Sequence, residues 1–229
     1  MFKAKTALLI TATIVAAAVI LLAFWGAYDA REASAAPTIV IDAGHGGIDG
    51  GVTGAVTGVT EAEINLEIAL MLEDELVRRG FNTVKTRTGE GTAAIVAGEK
   101  QRDMEKRKQT ILSAKPDAVV SIHCNKFPSS SRRGAQVFFN PYSNQGKALA
   151  ARLQDAVNIL NVTEVGRGYS SLGGDYYILN CSDYPSAIVE CGFLSNAEDE
   201  KLLMQEEYRL RLVGAIADGL ERFLYSDAE

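Results

Sequence analysis

From position 37 onward, short apolar runs alternate with longer segments in which apolar residues recur at helical spacing. The first run, Thr38–Asp42, is continuous and β-branched, which is typical of a strand buried on both faces. A glycine-rich loop and then a helical pattern follow, with apolar positions from Ile64 to Leu76 on one face. Thr60 and Glu63 have capping-box spacing and Gly80 is a stop signal, so the pattern predicts a helix between them.

The same alternation continues to the C terminus. The predicted strands are Asn82–Thr86, Asp117–Ile122, Gln136–Phe139, Tyr176–Leu179 and Ala187–Val189, and the predicted helices are Glu99–Ala114, Gln145–Ile159 and most of Asp199–Leu224. Strands that alternate with helices predict an α/β fold with a mostly parallel central sheet and helices on both faces. In such sheets ligands bind beyond the carboxyl ends of the strands.

Residues 1–36 have a different pattern. Lys3 and Lys5 precede an uncharged apolar run, Ala7–Trp25, and the small residues Ala33-Ser34-Ala35 fit a signal-peptidase site. The apolar run is longer than a usual signal peptide core and is long enough to cross a bilayer. The segment is therefore predicted to be a signal peptide or a membrane anchor, with residues 37–229 exported as one catalytic domain, either secreted or attached to the membrane.

Composition and charge narrow the classes of partner. The chain has a net charge of −6, and because residues 1–36 carry three basic and two acidic residues, the exported part has a net charge of −7. This charge argues against nucleic acid as a partner. The three cysteines, Cys124, Cys181 and Cys191, are too few for a disulfide framework, and buried thiols are the favoured interpretation.

The glycine-rich stretch Ile41–Gly51 raises three interpretations: a phosphate-binding loop, a dinucleotide-binding turn, or a loop beside a metal. No lysine follows the glycines, which excludes a P-loop, and Asp49 stands where a dinucleotide turn requires its third glycine. Glycines around His45 instead leave room for a metal ion and a bulky substrate to approach the backbone.

His45 and His123 are the only two histidines in the chain, and both are predicted to lie at the ends of strands. One histidine alone is more often structural, but two at equivalent positions favour a metal site. A catalytic zinc typically has three protein ligands and one open position. Glu61, at the start of the first predicted helix, is the candidate third ligand, although an acid there also complements the helix dipole.

Glu190 ends the apolar run Ala187–Val189. A carboxylate in such a place is costly to bury unless it has a use, and a general base beside a metal is one such use. A salt bridge to Arg87 or Arg167 is the alternative.

Four segments together resemble the zinc-dependent N-acetylmuramoyl-L-alanine amidases, the type 3 family of peptidoglycan amidases. They are Ile41-Asp-Ala-Gly-His-Gly-Gly47, Thr60-Glu-Ala-Glu-Ile-Asn-Leu66, Ser121-Ile-His-Cys-Asn125 and Ile188-Val-Glu-Cys-Gly-Phe-Leu-Ser-Asn196. The resemblance implies that His45, Glu61 and His123 bind one zinc ion and that Glu190 is the catalytic carboxylate. It also implies hydrolysis of the amide between the lactyl group of N-acetylmuramic acid and L-alanine in peptidoglycan.

One exported domain behind a short hydrophobic segment most resembles the germination-specific amidases of spore formers, although amidases of vegetative growth share the same site. A zinc carboxypeptidase or deacylase acting on another wall amide is an alternative function, and a non-catalytic wall-binding module is a third. No appended wall-binding module is visible, so the catalytic groove, the segment Ala7–Trp25 or an activator protein must provide affinity for the wall at the cell surface or spore cortex.

Overall fold

The structure of the protein is a computed structural model, which describes residues 16–21, 36–89 and 99–225. Contacts divide the chain into two units, Met1–Ala36 and Pro37–Glu229. In the first unit, residues 16–21 are helical and exposed. Among the described residues, no helix has both the length and the apolar character needed to span a bilayer. Most of the predicted leader Ala7–Trp25 lies outside the described residues, so its role stays a prediction.

The described residues of the second unit form six strands and six helices. The strands are β1 (Thr38–Ala43), β2 (Asn82–Lys85), β3 (Ala118–Asn125), β4 (Gln136–Phe139), β5 (Leu172–Gly173) and β6 (Ser186–Phe193). The helices are α1 (Glu61–Arg78), α2 (Glu99–Ala114), α3 (Asn144–Val165), α4 (Tyr177–Asn180), α5 (Ala197–Leu203) and α6 (Glu206–Leu224).

The strands form one sheet in the order β2-β1-β3-β6-β4-β5. All neighbouring pairs are parallel except β4 with β6, which is antiparallel. The predicted α/β fold with a mostly parallel sheet is therefore confirmed. Strands β1, β3 and β6 are adjacent in the interior of the sheet, and each has a neighbour on both sides.

Each face of the sheet is covered by helices. On one face, α1, α3 and α6 pack over a large apolar core that includes Ile41, Ile122 and Val189. On the other face, α2 and α4 contribute Ile111 and Ile178 to a smaller core. Because side chains alternate along a strand, residues next to each other in β3 or β6 belong to opposite cores.

Helix α1 begins as the sequence predicts. The Thr60 hydroxyl accepts a hydrogen bond from the Glu63 backbone N–H, and the Glu63 carboxylate accepts one from the Thr60 N–H at 2.8 Å, which completes the capping box. The helix ends just before Gly80, whose φ of 90° suits a glycine at the end of a helix. Glu61 is thus the first residue of a firmly capped helix.

One predicted element is wrong, one predicted helical segment consists of two helices, and one short strand was not predicted. Tyr176–Leu179 was predicted to be a strand but forms the short helix α4, because Ile178 and Leu179 are consecutive and both are buried in the smaller core, which a helical turn permits. The helical segment Asp199–Leu224 is two helices, separated at Gln205, whose backbone is extended. The two-residue strand β5 was not predicted.

Candidate active site

The residues singled out from the sequence come together at the interior strands of the sheet. His45 follows β1, as predicted. His123 and Glu190 were predicted to lie beyond their strands, but they lie within β3 and β6, because the parallel pairing of the two strands continues past them to Asn125 and Phe193. In this pairing His123 and Glu190 are direct partners.

The side chains of His45, Glu61 and His123 form a compact cluster. Each offers one ligand atom, and these atoms all lie within 4.8 Å of one another. Glu61 Oε1 lies 3.2 Å from His45 Nε2 and 2.9 Å from His123 Nδ1, and the two imidazole rings are 5.0 Å apart between centroids. Ligands about 2.1 Å from a tetrahedral zinc lie about 3.4 Å from each other, so the donor atoms and their spacing fit a zinc ion.

The environment of Glu61 keeps its carboxylate ionised. The side chain is 2% exposed, and its oxygens accept hydrogen bonds from the backbone N–H groups of Val52 at 2.9 Å and Cys124 at 3.1 Å. Burial alone would raise the pKa of Glu61, but the hydrogen bonds to His123 and His45 outweigh it and lower that pKa well below its usual range. An ionised carboxylate is the form in which glutamate binds a metal.

The same carboxylate acts on His45. Its interaction with Glu61 raises the pKa of the His45 imidazole, and the neighbouring Asp49 adds to this effect. His45 Nδ1 lies 3.0 Å from Asp49 Oδ1, although the two atoms do not form a well-aligned hydrogen bond. A carboxylate against the second ring nitrogen is the usual way in which a metal-binding histidine is oriented.

Asp49 and Asn65 belong to the site, although neither was predicted from the sequence as a site residue. Asn65 Nδ2 donates to Glu61 Oε1 at 3.3 Å and to the Gly44 carbonyl at 3.2 Å. Its position one turn after Glu61 was a usable signal, since residues four apart share a helix face. Asp49 carried no comparable signal, because its proximity to His45 depends on the tight turn made by Gly46 and Asp49.

Two glycines leave space for the cluster. A Cβ atom on Gly44 would overlap the imidazole ring of His123, and one on Gly51 would lie 2.5 Å from Glu61 Oε2 and 2.8 Å from the His45 ring. All of these distances are shorter than the closest approach of two non-bonded atoms. The interpretation of the glycine-rich stretch as room around His45 thus agrees with the geometry.

Glu190 faces this cluster from β6. Its Oε2 atom is buried and has no hydrogen-bond partner among the described residues. Burial raises the pKa of Glu190 to about 7, an effect that His123 and His45 only partly oppose. The alternative of a salt bridge to an arginine is not found in the described part of the chain: Arg87 donates to the Ala43 carbonyl, and Arg167 donates to the Tyr169 hydroxyl.

A cavity of about 630 Å³ opens next to His45, His123 and Glu190. Part of its wall comes from Arg102 and Lys106 on α2, from Tyr177 at the start of α4 and from Tyr176 just before it. The wall thus combines cationic and aromatic side chains, which suit a polar substrate that carries carboxylates and sugar rings.

The cysteines behave as buried or partly buried thiols. All three are free; Cys124 and Cys191 are buried and Cys181 is partly buried. Cys124 and Cys191 each follow a site residue in the chain, but they point into the large core on the opposite face of the sheet. Burial raises the pKa of both thiols, so they are poor metal ligands.

A sequence profile of the N-acetylmuramoyl-L-alanine amidase family matches residues 39–222. The chain belongs to this family. It is 30% identical over 191 residues to the germination-specific N-acetylmuramoyl-L-alanine amidase of Bacillus subtilis, an alignment that covers 81% of this chain and 78% of the relative.

Solved structures agree. The CwlD amidase of Clostridioides difficile, determined in complex with the GerS lipoprotein, has a TM-score of 0.76 and 31% identity, over 83% of this chain and 100% of that one. The catalytic domain of CwlV from Bacillus (Paenibacillus) polymyxa var. colistinus has a TM-score of 0.70 and 27% identity, over 82% of this chain and 98% of that one.

Family membership confirms the reaction predicted from the sequence. The protein is an amidase that hydrolyses the bond between the N-acetylmuramic acid lactyl group and L-alanine in peptidoglycan. This result favours the amidase over the zinc carboxypeptidase, the deacylase and the non-catalytic wall-binding module.

Proposed function

We propose that the amidase uses one zinc ion bound by His45, Glu61 and His123, with Glu190 as its catalytic carboxylate. The observation that carries the proposal is the cluster of three donor atoms within 4.8 Å, next to a buried carboxylate oxygen that has no hydrogen-bond partner in residues 36–89 and 99–225. Zinc in such a site polarises an amide carbonyl and lowers the pKa of water.

Glu190 then carries the proton. Its carboxylate accepts a proton from the attacking water and passes it to the alanine nitrogen as the amide bond breaks, so that the stem peptide leaves with a free amino group. In the metal-free site burial raises the pKa of Glu190 to about 7, so this carboxyl can hold a proton near neutral pH, as a group that takes and returns a proton must. Because no side chain in the described part of the protein engages Oε2 of Glu190, this atom is available for the exchange.

The variant Glu190→Gln tests this role. We expect the full-length variant to keep its zinc and to release stem peptide from purified peptidoglycan about 10²–10⁴-fold more slowly than the wild type, since that is the usual contribution of general acid–base catalysis. Glu207→Gln, a matched change at an exposed position of α6, should hydrolyse at the wild-type rate. A zinc-loaded Glu190→Gln protein with wild-type activity would show that another group transfers the proton.

Product analysis tests the bond that is cut. Mass spectrometry of the soluble products should find peptides that begin with a free L-alanine. A released terminal amino acid would instead indicate the carboxypeptidase, and loss of an acyl group the deacylase.

We also propose a role in spore cortex maturation, in the extracytoplasmic space, with residues 1–36 as signal peptide or anchor of the catalytic domain 37–229. Similarity to a germination-specific amidase supports the cortex role, and similarity to an amidase whose structure was determined in complex with a lipoprotein supports an activator protein of that kind. The mass of the protein isolated from sporulating cells would show whether residues 1–36 are removed. Cortex lacking muramic lactam in a deletion strain would support the role, and unchanged cortex would contradict it.

A further inference from the structure

Two arginines outside the proposed ligand set reach the backbone that carries His45. Arg107, on α2, is 4% exposed. Its guanidinium donates to the Ala43 carbonyl at 2.7 Å, to the His45 carbonyl at 2.5 Å and to the Asp42 carboxylate at 2.7 Å. A single side chain on the helix thus contacts three of the four residues from position 42 to 45.

Arg87 approaches the same segment from the end of β2. It donates to the Ala43 carbonyl at 2.9 Å, to the Gly44 carbonyl at 3.0 Å and to the Ala62 carbonyl at 2.8 Å. Together the two arginines engage every carbonyl from Ala43 to His45. Because Ala62 directly follows Glu61, Arg87 also joins the two segments that carry proposed ligands.

The backbone held in this way is in an unfavourable conformation. His45 has a φ of 60°, in the left-handed region that residues with a Cβ atom seldom adopt. Such a conformation persists only where surrounding contacts determine it. Arg87 and Arg107 supply such contacts to the loop carbonyls, and the Gly44 and Gly46 N–H groups add hydrogen bonds to the Ile122 and Asp49 carbonyls.

The buried ion pair explains why an arginine stands at position 107. Asp42 is 2% exposed and also accepts hydrogen bonds from the Ser121 and Thr86 hydroxyls, so its carboxylate is fixed in place. A buried ion pair adds little net stability by itself, but it aligns the planar guanidinium so that its remaining N–H groups point at the loop carbonyls. A lysine carries the same charge but lacks the planar group whose several N–H donors point in fixed directions.

We propose that Arg87 and Arg107 are positioning residues, which hold the backbone from Ala43 to His45 so that the His45 imidazole meets Glu61 and His123 at one metal ion. The inference rests on the proposed zinc site. It assigns to these two arginines a role in metal affinity, separate from any contribution to the stability of the fold.

The test compares Arg87→Lys and Arg107→Lys with a matched control, Arg79→Lys, in the full-length protein. Arg79 is 17% exposed and bonds to Glu75, Asp218 and the Gly214 carbonyl, so it joins α1 to α6 with a similar number of contacts away from the cluster. Zinc affinity is measured by competition with a chromophoric chelator, and stability by thermal unfolding with the metal removed.

We expect Arg87→Lys and Arg107→Lys each to weaken zinc binding about 10–100-fold, the usual effect of losing a residue that orients a ligand. Arg79→Lys should change zinc affinity less than twofold, even if its unfolding temperature falls by as much as those of the other two variants. A cobalt-substituted Arg107→Lys protein should also show an altered visible spectrum, which a loss of stability alone would not produce.

Wild-type zinc affinity in both site variants would overturn the inference, as would equal losses of affinity in all three variants. Failure of both site variants to fold would also overturn it, since the arginines would then serve the fold. If the wild-type protein itself bound no zinc, the proposed metal site would fail instead, so the two ideas are tested separately.

Discussion

His123 and Glu190 are direct partners in the parallel pairing of β3 with β6, which places the proposed ligand and the proposed base side by side on one face of the sheet. Neighbouring strands are about 4.8 Å apart, so the separation of the two residues is set by the backbone. The sheet, and not a flexible loop, therefore fixes the distance between the proposed metal ligand and the proposed proton-transfer group.

The raised pKa of Glu190 predicts a pH-dependent cost in stability. A carboxyl whose pKa is about 7 in the folded protein and 4.5 when unfolded destabilises the fold as the pH rises from about 4.5 to 7. With metal removed by a chelator, the free energy of unfolding of Glu190→Gln should equal that of the wild type near pH 4. Above pH 7 it should be higher than that of the wild type by on the order of 3 kcal/mol. Denaturant unfolding at several pH values measures this, and a pH-independent difference would contradict it; Glu207→Gln serves as the control.

Gly44→Ala should weaken metal binding. The added methyl group would overlap the His123 ring, so the ring must turn away from Glu61 and His45. We expect at least a tenfold loss of zinc affinity and a matching loss of amidase activity. Gly214→Ala, in α6, has open space around the added atom and should leave both unchanged. Normal zinc binding by Gly44→Ala would mean that His123 is not a ligand.

Asp42→Ala should destabilise the protein strongly. The change leaves the buried Arg107 guanidinium without its carboxylate partner, and breaking a buried ion pair in this way costs about 3–5 kcal/mol. Asp218→Ala removes a partly exposed partner of Arg79 and should lower the free energy of unfolding by less than about 1 kcal/mol. Urea unfolding of both variants gives the comparison, and equal costs would refute the prediction.

Removal of the metal should stop the reaction and lower stability together. A chelator is expected to abolish peptide release, and zinc should restore it whereas magnesium should not, because two imidazoles favour zinc over a cation that prefers oxygen ligands. Zinc at about 100 times its dissociation constant should stabilise the fold by about 2.7 kcal/mol. Full activity after exhaustive chelation would exclude the zinc mechanism.

Local patterns predicted most of the fold. The capping box of Thr60 and Glu63 placed the start of α1, and with it Glu61, at the correct residue because both signals come from neighbouring side chains. The β-branched run at Thr38–Asp42 likewise identified β1, which ends one residue later. Where the signal was local and chemical, prediction and structure agree to within a residue.

The failures came from contacts between distant segments. Nothing within Tyr176–Leu179 indicates that two consecutive apolar residues face the same core, so their β-forming composition predicted a strand. The length of β3 depends on its pairing with β6, which is how His123 came to lie inside a strand. The burial of Arg107 could not be predicted, because this residue lies among many other charged residues in the sequence of α2. Only the packing of α2 beside β1 shows that its guanidinium is buried.

The placement of the active site at β1, β3 and β6 also has a consequence for the heat inactivation of the enzyme. The strands at the two margins, β2 and β5, can fray without disturbing any group of the cluster except through Arg87. We expect amide hydrogens to exchange slowest in these interior strands, which carry His123 and Glu190 and lead into the loop of His45. Heat inactivation should therefore coincide with cooperative melting of the whole domain, and the enzyme should keep its chemistry until the fold itself is lost.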